Sequence, residues 1–209
     1  ERKRRDKAAV DKLLNNDLKE KGYNVLATGE MGIGNTTTSS AVCSVLLDQS
    51  VEKVTGKGAG LTNKDLEHKI EVIRQSIALN KVNADDPLDV LAKVGGLDIA
   101  GMAGCYIGGA ALNIPVFIDG FISSVAALIA IRLVPECAPY LFPSHCSNEP
   151  AGRMILDAIG KQPYIFANMC LGEGTGAVMG FTIADYAFKA YWELPSFEQT
   201  NFGTYEELN

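Results

Sequence analysis

The chain is short of histidine, of paired cysteine and of clustered basic charge, and each shortage removes a class of function. Its two histidines, His68 and His145, stand far apart with no Cys or His at ligand spacing, which argues against a zinc site and predicts no bound metal. Five cysteines (Cys43, Cys105, Cys137, Cys146 and Cys170) include no Cys-x-x-Cys pair, and several lie in apolar runs. There a cysteine packs like a small hydrophobe, and a reducing cytoplasm is expected. With 19 Lys and Arg against 25 Asp and Glu, the formal charge is -6, and the only dense basic cluster is Arg2 to Arg5. That cluster reads as a solvated helix end, so no nucleic-acid partner is expected. No signal peptide is visible, and an opening on Glu-Arg-Lys-Arg-Arg without an initiating Met is expected of a fragment that begins inside a helix. Ile99 to Ile118 is nearly uncharged, but it is rich in Gly and Ala and broken by Asn113 and Pro115. It is expected to be buried in protein and not to span a membrane.

What is present suffices for one full core: 209 residues, 47% of them hydrophobic. Residues 1–21 predict an amphipathic helix with Val10, Leu13, Leu14 and Leu18 on one stripe and Gly22 as its stop. That helix, taken as 1–22, is assigned with the C-terminal tail to a smaller helical subdomain of a single catalytic unit, 1–209. A strand at Tyr23 to Ala27 precedes a helix from Thr36 to Leu47, and Thr62 with Asp65 makes a capping-box-like start for a helix carrying Leu66, Ile70, Ile73 and Ile77. Asp86-Pro87 opens a short helix, and Leu97 to Leu112 a Gly/Ala-rich one whose Gly104 and Gly108 should allow close packing. Strand then helix recurs at Val116 to Ile118 with Ile122 to Leu133, at Tyr140 to Phe142 with Ala151 to Ile159, and at Pro163 to Phe166 with Gly176 to Trp192. The alternation predicts an α/β fold, a mostly parallel sheet with helices on both faces.

Such a sheet binds ligands beyond the carboxyl ends of its strands, and the loops there are polar. Gly32-Ile33-Gly34-Asn35-Thr36-Thr37 runs into a helix N-terminus and suits a phosphate or a carboxylate, yet it lacks the Lys of a Walker A loop and does not match G-x-G-x-x-G. Gly56-Lys57-Gly58-Ala59-Gly60 carries a cation before a helix and is preferred as the phosphate site, against the alternative of a flexible surface turn. Lys69 could reach the same phosphate or be a surface lysine. Glu30 would repel a phosphate, so it is expected to take sugar hydroxyls or orient other groups, or else to be a helix-end charge. Asp119 could bond a ring or stabilise its own turn; His145 could line a pocket or be structural. Glu173, within Gly172-Glu173-Gly174-Thr175-Gly176, has two readings, a general base or a helix cap.

In order, Gly29-Glu30-Met31-Gly32-Ile33-Gly34-Asn35-Thr36-Thr37, Gly56 to Leu61, Asp119-Gly120-Phe121-Ile122-Ser123, Ser144-His145-Cys146-Ser147-Asn148-Glu149-Pro150 and Leu171 to Ala177 closely resemble the CobT family, nicotinate-nucleotide:dimethylbenzimidazole phosphoribosyltransferases of cobalamin biosynthesis. The likeness runs through nearly all of the chain. It implies a Rossmann-like fold, usually in a homodimer, that moves phosphoribose from nicotinate mononucleotide to a benzimidazole nitrogen, giving α-ribazole 5'-phosphate and nicotinate without a cofactor. Glu173 then corresponds to the family's general base, and a partly apolar pocket would raise its pKa by burial. The expected substrate-binding residues are Glu30, Gly32, Gly34, Asn35, Thr36, Lys57, Gly58, Gly60, Lys69, Asp119, Ser147, Gly172, Gly174 and Thr175. The resemblance implies a substantial N-terminal portion upstream, including residues that line the aromatic-base pocket, which this sequence does not include. The choice of base is therefore illegible here, and a module that binds nicotinate nucleotide without catalysis is the alternative.

Overall fold

A computed structural model of the chain describes residues 17–58 and 60–200. The helix expected at the start is described only in its last turn, 17–20, where Leu18 packs on the core and Gly22 ends the turn at a φ of 83°. Residues 1–16 of that expected helix lie outside the described residues.

Among the described residues, three short parallel strands form a sheet in the order β1 (Leu26–Ala27), β2 (Val116–Ile118) and β3 (Leu141–Pro143). Between β1 and β2 run α1 (Thr36–Leu46), α2 (Val51–Val54), α3 (Asn63–Asn80), α4 (Pro87–Val94) and α5 (Leu97–Ala111). Helix α6 (Phe121–Leu133) and a 3-10 turn (Pro135–Tyr140) lead to β3, followed by α7 (Gly152–Ala158) and α8 (Thr175–Glu193).

Pleating divides β2 between two layers. Val116 meets α5 at Gly109, where an added Cβ would lie 2.5 Å from the Val116 methyl. Gly104 and Gly108, where close packing was expected, are buried too. Phe117 points the other way, with ring centroids 4.7 Å from Phe181 of α8 and 5.8 Å from Phe142 of β3. Helices thus cover both faces, and α6, buried from Phe121 to Ala130, fills the middle of the core.

Two strand expectations need correction. Tyr23 to Ala27 shrinks to Leu26–Ala27, because Tyr23 instead closes the preceding helical turn by donating to Leu18 O. Pro163 to Phe166 is no strand; a single parallel bridge joins Ile165 to His145, with Ile165 N donating to Ser144 O at 3.0 Å. Pro163 has no N–H to offer a ladder, and Asn168 turns the chain away at a φ of 49°. The third strand starts one residue later than expected because Tyr140 ends the 3-10 turn. Helix caps follow the sequence more closely: Thr62 accepts from Asp65 N, and Asp86 accepts from Leu88 N before Pro87 opens α4. No described helix is long and apolar enough to cross a membrane.

Candidate active site

Beyond the carboxyl ends of the strands, the loops converge on a cleft of about 390 Å³, within the usual size of a small-molecule site. Asp119, one residue past β2 and buried, organises it. Its Oδ2 accepts from Gly174 N at 2.9 Å, and its Oδ1 accepts from Gly176 N at 2.8 Å and Ala177 N at 3.3 Å. The carboxylate therefore caps α8 from another segment of the chain, satisfying amides that a helix start leaves orphaned. Its side chain bonds to this neighbouring loop and not to its own turn.

The loop that Asp119 holds is conformationally costly. Gly172, Glu173 and Gly174 are successive left-handed residues with φ of 77°, 57° and 82°. Only Glu173 carries a side chain there, at a cost on the order of 1 kcal/mol. Its N–H donates to Glu30 O at 2.9 Å. Gly29 is equally constrained, since a Cβ on it would lie 2.5 Å from Gly174 N. Two loops remote in sequence thus meet backbone to backbone, bringing Glu30 and Glu173 to the same cleft. Glu173 is exposed, so the burial expected for it is not found. Glu30 is half-buried and accepts from Gly32 N at 2.6 Å, which shapes its own turn.

A cation stands behind the lining near Thr36. Lys69 is only 7% exposed, which rules out the surface-lysine reading, and its Nζ donates to Thr36 Oγ1 and Gly56 O, both at 2.9 Å. It ties α3 to the glycine loop and to the start of α1. Glu30, Gly32, Thr36, Gly58, Asp119, Ser147, Gly172 and Glu173 line the cleft. Gly34, Asn35, Lys57, Gly60, Gly174 and Thr175 stand behind or beside that lining. Asn35 donates from its side-chain amide to Asp98 Oδ2 at 2.8 Å, while Lys57 is exposed. Thr175 donates its hydroxyl to Gly172 O at 2.7 Å, closing the glutamate loop.

Sequence reasoning left Glu149 unassigned, although it lies in a quoted motif; nothing in the local pattern signals that its side chain turns inward. It also left out the apolar wall of Met31, Ile33, Phe121, Ile122 and Leu171.

The family model described as Phosphoribosyltransferase (DBI_PRT) matches residues 10–202. A nicotinate-nucleotide–dimethylbenzimidazole phosphoribosyltransferase of Ruminiclostridium cellulolyticum is 53% identical over 191 residues, covering 91% of this chain and 54% of the relative. One of the same name from Acetivibrio thermocellus is 50% identical over 190 residues, with the same shares. The chain belongs to the nicotinate-nucleotide–dimethylbenzimidazole phosphoribosyltransferase family.

It spans about half the length of these curated relatives. The crystal structure of CobT from Thermus thermophilus superposes with a TM-score of 0.88 at 32% identity, covering 96% of this chain and 60% of that one, so this family member shares the CobT fold. Within that fold, burial shifts three ionisable groups of the site. Desolvation pushes Lys69 down, opposed by the charge of Glu149, and pushes Glu149 up, opposed by Lys69 and the Gly58 amide. His145, 2% exposed and bonded through Nδ1 to Ser144 Oγ at 3.1 Å, is pushed down by burial, with Asp119 opposing.

Proposed function

We propose that the cleft transfers phosphoribose from nicotinate mononucleotide to 5,6-dimethylbenzimidazole or a related base, giving α-ribazole 5'-phosphate and nicotinate for the nucleotide loop of cobalamin. One observation carries this reading: Glu173 lies on a loop held by Asp119 and Glu30 and lines one cleft with Thr36 and Ser147, and Lys69 stands behind that lining, bonded to Thr36. That arrangement suits a nucleotide with its phosphate toward the cation and its C1' toward the glutamate.

In the reaction, a benzimidazole nitrogen attacks C1' from the face opposite nicotinate and forms the new C–N bond. The old C1'–N bond breaks with its electron pair passing to the pyridinium nitrogen, which leaves neutral as part of nicotinate. The benzimidazole N–H proton passes to Glu173. The carboxylate needs only to accept that proton, and the strained backbone fixes where it stands. Holding both reactants in line supplies much of the remaining acceleration.

The test is a chromatographic assay of the full-length protein with nicotinate mononucleotide and a panel of bases. Base-dependent release of nicotinate with formation of α-ribazole phosphate is expected; ribose 5-phosphate without any base would mark a hydrolase instead, and tight binding without turnover a binding module. Glu173→Gln should lower kcat by ~10²–10⁴-fold with little change in KM for the nucleotide. Undiminished turnover in that variant removes the base assignment.

The same reading makes the chain one catalytic unit, working as a homodimer in the cytoplasm. Five cysteines without a Cys-x-x-Cys pair support the reducing compartment.

A further inference from the structure

We propose that Glu149 and Lys69 together select a phosphomonoester by its proton: Lys69 takes an ionised phosphoryl oxygen, and Glu149 takes the one oxygen that carries hydrogen. The inference rests on the functional reading above only in assigning the phosphate to this end of the cleft.

The two side chains converge on Gly56 from opposite elements. Lys69, on α3, donates to Gly56 O, and the Glu149 carboxylate lies so close against the Gly56 α-carbon that no Cβ would fit between them. An ammonium has three donors, and two of them are used on Thr36 and Gly56, which leaves one. Glu149 Oε2 is buried and has no hydrogen-bond partner. Glu149 lines the cleft beside Thr36, Gly58 and Ser147, and Lys69 stands just behind that lining, bonded to Thr36, so a spare donor and an orphaned acceptor that do not bond to each other meet near the same end. Leaving such an acceptor unmet is costly, so a ligand that meets it gains what the free protein lacks.

A fully ionised anion cannot meet it. Its oxygens are all acceptors, and one set against the Glu149 carboxylate would add repulsion to desolvation. A phosphoryl group holding one proton fits both partners at once: the P–O–H donates to Glu149, and another oxygen accepts from Lys69. Binding a phosphomonoester dianion then takes up one proton, shared between carboxyl and phosphoryl oxygens. The opposed shifts of the two side chains, Glu149 up and Lys69 down, agree with a site that tolerates a proton there. Lys69 is the charged group that acts on Glu149 directly, along with the Gly58 amide. The other ionisable lining groups, Glu30, Asp119, His145, Cys170 and Glu173, come from the remaining loops of the cleft.

Titration calorimetry of the full-length protein with nicotinate mononucleotide, without acceptor base, in buffers of different ionisation heat, counts the protons. At about pH 8, above the second phosphate ionisation near 6, the unsubstituted protein should take up about one proton more than Glu149→Gln, whose amide donates to the phosphate unaided. Equal counts in the two proteins overturn the proposal. A second measurement needs no variant. Hydrogen phosphate and sulfate have the same charge at that pH and differ by one proton, so phosphate should compete for the site roughly tenfold or more better than sulfate. Equal competition overturns the proposal, whereas a merely structural Glu149 would leave both the proton count and the anion preference unmoved in the variant. Because neither measurement requires turnover, a protein that binds in this way yet makes no α-ribazole phosphate loses the transfer reading and keeps this one.

Discussion

Asp119 commits both carboxylate oxygens to the backbone of a loop more than fifty positions further along the chain, with three amides donating to it. Hydrogen bonds to a charged group contribute about 1.5–3 kcal/mol each at most, and they share one acceptor here. Asp119→Ala should therefore destabilise the protein by about 2 kcal/mol or more, read as a lowered melting temperature, and should reduce kcat through the loosened Glu173 loop. An unchanged melting temperature would contradict the capping role. His145 gives a pH signature at the same scale. Its folded pKa is depressed by burial, so the unfolded chain binds the proton more readily. Its contribution to stability is whole above the ordinary histidine value, about 6.5, and is lost as pH falls from there through the folded value. Thermal melts should show stability dropping below about pH 6.5, and His145→Gln should flatten that drop. Neither role was legible in the sequence, where Asp119 and His145 each had two open readings. Both depend on α8 returning to β2, a contact across more than fifty residues that local pattern does not encode.

At the scale of elements, the helices were more legible than the strands. Helix boundaries follow caps and periodicity, which are local: Thr62 with Asp65, and Asp86 with Pro87, do what their spacing predicts. The strands are two or three residues long and owe their pairing to neighbours far away in sequence, so Pro163 to Phe166 could pass for a strand while forming one bridge. Helix α5 offers a direct test of what its glycines do. Gly101 has open space where a Cβ would be, so Gly101→Ala should stabilise the protein by about 0.5–1 kcal/mol through helix propensity. A Cβ on Gly109 would lie 2.5 Å from a Val116 methyl and 3.0 Å from Ile114 O. Gly109→Ala should cost about 1–3 kcal/mol, since both neighbours are buried and cannot give way. Melting temperatures of the two variants, moving in opposite directions, would establish which glycine is a packing requirement; a shift of the same sign in both would refute the contrast.

For the whole molecule, the two faces of α8 are unequal. Gly176, Ala177 and Gly180 are buried against Asp119, His145 and β2, whereas Met179, Ile183 and Tyr186 form an exposed stripe at helical spacing. Apolar surface of this kind usually marks contact with something else. Trp192, the sole tryptophan of the chain and 77% exposed, sits at the end of the same helix and reports on what covers it. If the homodimer reading holds, sedimentation should give a two-copy mass, and the melting temperature should rise with protein concentration, because association stabilises only the folded form. A one-copy mass with a concentration-independent melt would refute the dimer. Quenching of Trp192 by acrylamide then locates the interface. Protection that grows in step with the dimer fraction puts α8 inside it, and a two-copy mass with Trp192 still fully accessible puts the interface on another face. The outcome bears on catalysis, because α8 begins at the amides that hold the Glu173 loop, and a partner seated along the helix would press on that loop through Asp119.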